Sequence, residues 1–568
     1  MMFDLVIRGG TVVDGSGRPA VLADVAIKDG VIAEVGRVGP GRRELDASGA
    51  LVTPGWVDVH THYDGQVTWD PLLTPSSWHG VTTVVMGNCG VGFAPAKPDK
   101  HDWLIGLMEG VEDIPGAALA EGINWAWETF PEYMDAIEAN ARAIDFGVQL
   151  PHGAIRAYVM GERGAQNEEA TAEDVAAMAQ VVEEGLLAGA LGFSTSRTLM
   201  HRSIDGIPVP GTFADRLELF GIGEALKKTG RGVFQLAAQH EDVPEELEWM
   251  DELARYTGRP VSFNLSQIDP DPQLWRRGLE RLERADRRVV AQVAGRGIGI
   301  IMCWEGTAHP FLNRAAYLPF HELSPAERRA QLERPEVRQA IIESPMMELD
   351  ELGNFVTRSW HKMFVAEPGQ TMSYEPGAEH SVAAIAARTG RSCEEIAYDA
   401  LMELDGRGTL YFPLFNYAEG SLAPQYELLS HPRTRLGLSD GGAHCGAICE
   451  GGMATFMLTH WTRDRARGPR LGLERVVAMQ THETAQLFGL GDRGLLKPGY
   501  KADVNLIDYA NLRLENPKMA YDLPLGGRRL VQRAHGYVAT VVSGEVMMEH
   551  GESTGALPGR LLRGARSL

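Results

Sequence analysis

Short β-rich runs broken by turn residues open the chain. Asp4-Leu5-Val6-Ile7-Arg8 meets Gly9-Gly10, then Thr11-Val12-Val13. Asp24-Val25-Ala26-Ile27 runs through Lys28-Asp29-Gly30 into Val31-Ile32-Ala33-Glu34-Val35. An Asp-Gly pair between such runs is a hairpin signal, so residues 3–53 read as a small β unit. From residue 55 the pattern alternates. Apolar runs such as Val81-Thr82-Thr83-Val84-Val85-Met86 are separated by helical stretches such as 172–182. That rhythm predicts βα units around a parallel sheet, and the segment has room for eight of them. The apolar run Ile298–Met302, followed by Trp304-Glu305, reads as the seventh strand. Residues 305–380 break the rhythm with prolines and charge clusters and read as an insertion. Residues 494–508 and 536–546 are strand-like again. The predicted fold class is therefore α/β. A (β/α)8 TIM barrel at 55–485, with an inserted subdomain at about 305–380, carries a small β-sandwich domain built from both termini, 1–54 and 486–568.

The composition is that of a globular protein, with 44% hydrophobic and 23% charged residues over 568 positions. With 54 Lys+Arg against 76 Asp+Glu, the net charge is −22. Such a surface repels phosphate backbones and anionic lipids. The expectation is a small-molecule substrate, no nucleic acid and no membrane partner; a homo-oligomer stays open. Five cysteines in this length form no disulfide framework. No apolar stretch of membrane-spanning length occurs, and the opening residues lack a basic region followed by an apolar run. The expected location is cytoplasmic.

One segment carries chemistry on its face: Val57-Asp58-Val59-His60-Thr61-His62. Side chains alternate along a strand, so His60 and His62 share a face. At the C-terminal end of a barrel strand they stand where barrel sites are built, and two imidazoles on one face suit a zinc-type metal.

This segment resembles the opening strand of the amidohydrolase superfamily. Further matches follow in order at Gly80–Gly87, Asn88-Cys89-Gly90, Pro151-His152-Gly153, Gly189–Thr195 and Leu438-Ser439-Asp440-Gly441-Gly442. Together they resemble the N-acyl-D-amino-acid deacylase (D-aminoacylase) family. The resemblance implies a metal-dependent hydrolase that cuts an amide C–N bond with one or two zinc ions per chain. It implies that His60, His62 and Cys89 hold metal, and that Asp440 touches the metal and shuttles the proton. Many amidohydrolases bridge two metals with a carboxylated lysine, but no lysine lies between Lys100 and Lys227. A thiolate from Cys89 fits that role instead.

The chain departs from the family pattern on two strands. The fifth-strand histidine position falls near Ala237; His240, three residues on, can serve only if the strand end is shifted or bulged. No histidine lies between His240 and His309, so the sixth-strand ligand is missing, along with the lysine that holds a substrate carboxylate. Asn264, Ser266 and Gln267 offer only weak ligation or hydrogen bonds there. Arg197, His201, Arg202 and Lys362 are the replacement substrate contacts to consider. The same departures leave open a lactone, cyclic amide or ester as substrate, or a barrel that binds without catalysis.

Overall fold

The computed structural model describes residues 2–366 and 369–564. Eight parallel strands form the central barrel: Trp56–Asp58, Val81–Met86, Asp145–Pro151, Gly192–Ser196, Val233–Ala237, Val261–Asn264, Val289–Val293 and Thr434–Leu436. A parallel bridge between Thr61 and Gly441 joins the exits of the first and last strands and closes the ring. The middle strands are buried along their whole length, as expected for strands covered on both faces.

The helices between them start and stop where the side chains dictate. Ala172–Ala188 begins at a capping box, Thr171 with Asp174, and ends at Gly189, whose φ is +116°. Arg216–Thr229 begins at the Asp215 cap and ends at left-handed Gly230.

Among the described residues, nine strands from both ends of the chain form one mixed sheet. The Asp29-Gly30 turn, with both residues at positive φ, joins the hairpin Val21–Lys28 and Val31–Gly36. Phe3–Val12 pairs first with Gly41–Asp46 and then with Leu51–Pro54, shifting register at Gly9-Gly10. A strand that changes partner at a bulge turns a corner, so the sheet wraps a core of Leu5, Ile7, Val25, Val52, Val504 and Val541. Leu51–Pro54 also pairs with Val504–Ile507, the contact that unites the two ends.

Between the seventh and eighth barrel strands the chain builds a separate layer. Gly299–Met302, Phe364–Val365 and Leu410–Pro413 make an antiparallel sheet. Five helices, Pro325–Leu332, Pro335–Glu343, Glu351–Arg358, Val382–Thr389 and Cys393–Gly406, accompany it. Its own core includes Met302, Trp304, Phe311, Leu401 and Phe412. The run Ile298–Met302 is thus not the seventh barrel strand. Val289–Val293 takes that place, pairing in parallel with both barrel neighbours. Both runs are apolar and short, and hydropathy alone does not say which sheet a strand joins. Among the described residues no helix is long and apolar enough to cross a membrane.

Candidate metal centre

His60 and His62 leave the first strand on the barrel's C-terminal side, and both are buried. His60 Nε2 lies 3.2 Å from Cys89 Sγ. Donor atoms of His60, His62 and Cys89 all fall within 4.8 Å of one another. Asp440 Oδ1 stands 3.4 Å from His60 Nε2 and 3.6 Å from His62 Nε2. Two imidazole nitrogens, a thiol and a carboxylate thus converge on one point. That donor set fits zinc.

The backbone explains the convergence. Cys89 sits at φ +58° after Gly87 at φ +77°, so the second strand ends in a left-handed turn that throws the thiol back over the barrel axis. A Cβ on Gly87 would lie 2.4 Å from the Gln149 carbonyl oxygen. Asn88 Nδ2 donates to the carbonyls of Thr61 and Val85, and the Cys89 amide donates to Gln235 Oε1 at 3.0 Å. Asp440, at φ +46°, is tied down by its amide, which donates to the His60 carbonyl at 3.1 Å; the His62 amide donates to the Gly441 carbonyl at 2.8 Å. The first and last strands therefore hold each other's functional ends.

Behind these donors lies a set of partners that local sequence reasoning missed. His60 Nδ1 faces Gln292 Oε1 at 2.7 Å, and His62 Nδ1 lies 3.1 Å from Glu112 Oε1. Asp58 accepts hydrogen bonds from the His60 amide and the Ser439 hydroxyl. Such outer contacts fix the tautomer and orientation of a metal-binding imidazole.

The electrostatics follow from burial and crowding. Burial pushes His60 down to about 4 against the pull of the Asp440 charge. Burial would lower His62 too, but the Glu112 charge and the contacts to Asp440 and Cys89 raise it well above the usual imidazole range. Burial pushes the Cys89 thiol up to about 11, although a thiol on a metal is deprotonated outright. Burial would raise Asp440, yet the close approach of His62 and the charges of His60 and His444 hold it well below the usual carboxylate range.

The other sequence candidates divide. His201 and His240 line the same cavity of about 180 Å³, with Ala237, Asn264, Ser266 and His444. His240 lies in the short turn His240–Asp242 beyond the fifth strand, and its Nε2 is 3.5 Å from Asn264 Nδ2. It stands outside the tight His60–His62–Cys89 group. Arg197 and Arg202 are not brought to the cavity. Arg197 is held by Glu246 at 3.3 Å and by the Ala214 carbonyl. Arg202 donates to the carbonyls of Leu199 and Gly206 at the surface. Lys362 is bound to Asp269. Nearness in sequence to a strand end does not decide where a long side chain finds its acceptor. His152 is structural: Nδ1 is 2.9 Å from Thr195 Oγ1 and Nε2 is 2.8 Å from Glu218 Oε1, with Arg156 on the same carboxylate.

Known proteins resemble this chain over most of its length. A D-aminoacylase from Alcaligenes xylosoxydans xylosoxydans is 27% identical over 99% of this chain and 97% of its own. An N-acyl-D-glutamate deacylase from the same organism is 28% identical over 89% of this chain and 87% of its own. The crystal structure of a D-aminoacylase superposes with a TM-score of 0.64 and 25% identity, covering 99% of this chain and all of that one. The model of the Amidohydrolase family matches residues 43–548, a span that takes in the whole barrel and the part of the terminal sheet that adjoins it: the chain belongs to the amidohydrolase family.

Proposed function

We propose that this amidohydrolase cleaves the amide C–N bond of a small N-acylated amine, giving a carboxylate and an amine, with zinc held by His60, His62, Cys89 and Asp440. The convergence of those four donors at the C-terminal mouth of the barrel carries the reading. Relatives that span nearly the whole chain are deacylases, which supports the same reaction class. When bound, the zinc supplies a Lewis acid and lowers the pKa of water to near 7.

The chain's own groups do the rest. Gln292 accepts the Nδ1 proton of His60, which leaves the Nε2 lone pair facing inward beside Cys89. Asp440, held ionised by the surrounding imidazoles, accepts a proton from the attacking water and returns it to the departing amine nitrogen. His240, Asn264 and Ser266 line the same cavity and bind and orient the acyl group.

The test is metal content together with amine release. The purified protein is expected to carry about one or two zinc ions per chain, in keeping with a four-donor site. It should release amine from N-acylated substrates, lose that activity on chelation and regain it with zinc. A zinc-loaded protein that releases no amine from any of a broad amide panel overturns the reading.

A further inference from the structure

The cavity over His60 and His62 is not closed on its outer side. Thr198, Met200, His240, Leu414 and Phe415 line both it and a second, wider chamber of about 520 Å³. The wider chamber therefore adjoins the cavity of the metal centre. Ile268, Pro270, Leu352 and Phe355 complete its walls. Leu352 and Phe355 come from the helix Glu351–Arg358 of the layer inserted between the last two barrel strands.

The charged side chains that line this chamber are carboxylates, one of them paired with a lysine behind it. Glu241, Asp269 and Glu351 line it. Among the described residues, no lysine or arginine lines either chamber. Lys362 stands at the chamber wall, but its ammonium is taken up by the lining Asp269 and lies 5.3 Å from the centre of the Phe355 ring; Arg197 is held by Glu246 and Arg202 by backbone carbonyls. The remaining polar lining of the inner chamber consists of imidazoles, an amide, hydroxyls and the Cys89 thiol, with Glu112 and Asp440 as further carboxylates. A substrate carboxylate would find no guanidinium or ammonium on these walls that is not already paired. It would lose hydration and face like charge, both unfavourable for an anion in a partly dry site. An apolar group, by contrast, gains by leaving water for these walls.

We infer, building on the amide-hydrolase reading above, that the substrate is an N-acylated amine with an apolar body and no carboxylate, uncharged or cationic at its distal end. The chamber is then a filter that rejects N-acyl amino acids by charge. The reaction itself is the same hydrolysis: water adds across the C–N bond, and the acyl half leaves as carboxylate and the other half as amine.

The test uses the zinc-loaded full chain and three probes. N-acetyl-2-phenylethylamine differs from N-acetyl-D-phenylalanine and N-acetyl-L-phenylalanine only by lacking the carboxylate. The expected kcat/KM for the carboxylate-free probe is about tenfold or more above either amino acid. Equal or faster turnover of a carboxylated probe overturns the inference. Calorimetric binding of the same probes separates this question from catalysis. If no probe is hydrolysed, the amide-hydrolase reading loses its support, while tighter binding of the carboxylate-free probe still upholds the filter. Equal affinity, or no binding of any probe, overturns it. The variant Glu351→Lys, checked for fold by circular dichroism, is expected to shift the preference toward the carboxylated probes by about threefold or more. An unchanged preference in the folded variant counts against the charge filter and overturns the inference.

Discussion

Gln292 Oε1 stands 2.7 Å from His60 Nδ1, across the barrel from the seventh strand to the exit of the first. Gln292 is itself aligned, since its Nε2 donates to Ser262 Oγ at 3.0 Å. The amide oxygen is thereby turned toward the imidazole. Replacing Gln292 with Leu is expected to weaken zinc binding by about 10–100-fold with the far-ultraviolet circular dichroism unchanged. Gln292→Glu keeps an acceptor at that point and should restore much of the affinity. Chelator competition measures both, and equal affinity in the Leu variant would show that the contact does not prepare the site.

Asp440 is the carboxylate beside both imidazoles. Asp440→Asn keeps the shape and removes the proton acceptor. Turnover should fall by about 10²–10⁴-fold, while His60, His62 and Cys89 continue to hold metal. Undiminished turnover in a metal-loaded variant would rule out Asp440 as the proton carrier.

Gly87 lets the second strand turn back on itself. Gly87→Ala forces a Cβ against the Gln149 carbonyl at a residue with φ +77°. The expected cost is about 1–3 kcal/mol of stability, with a drop in metal content because Cys89 follows two residues later. Thermal unfolding and elemental analysis read the two effects, and a variant as stable and as metal-rich as the parent contradicts this account of the turn.

Glu218 sits buried between His152 and Arg156. Burial would raise its carboxyl, but those two partners bring it down to about 2. Its unfolded value is about 4.3. The folded value is the lower one, so the stabilisation is complete above about pH 4.3 and is lost as pH falls toward 2. Glu218→Gln strands the buried Arg156 charge. It should cost about 3–5 kcal/mol at pH 7 and flatten the loss of stability between pH 4.3 and 2. Urea unfolding across that range is the measurement, and an unaltered acid limb argues against the assigned role.

Local sequence reasoning reached the parts of this molecule whose signals are local. His60 and His62 were legible because a strand's two-residue period places them together. The Asp29-Gly30 hairpin was legible because the turn demands positive φ at both positions. Gln292, Glu112 and Ser439 were not. A single polar residue inside an apolar strand, or at a helix end, carries no mark of the partner it meets across the barrel. Arg197 and Arg202 failed for the converse reason. Their place after the fourth strand was read correctly, but their guanidinium groups find acceptors in Glu246 and in nearby backbone carbonyls. The run Ile298–Met302 has the composition of a barrel strand, and only its antiparallel pairing with Leu410–Pro413 places it elsewhere.

The pairing of Leu51–Pro54 with Val504–Ile507 has a consequence for biosynthesis. These two strands lie 504 − 54 = 450 positions apart. A ribosome adding about 5–20 residues per second needs roughly 20–90 seconds to bridge that gap. During that interval the Leu51–Pro54 edge of the nascent sheet is bare, able to capture any extended segment that passes. The barrel, made in between, has time to condense first, and the late strand then docks against an edge that has been waiting for it. The terminal sheet is thus completed last although its first strands are made first.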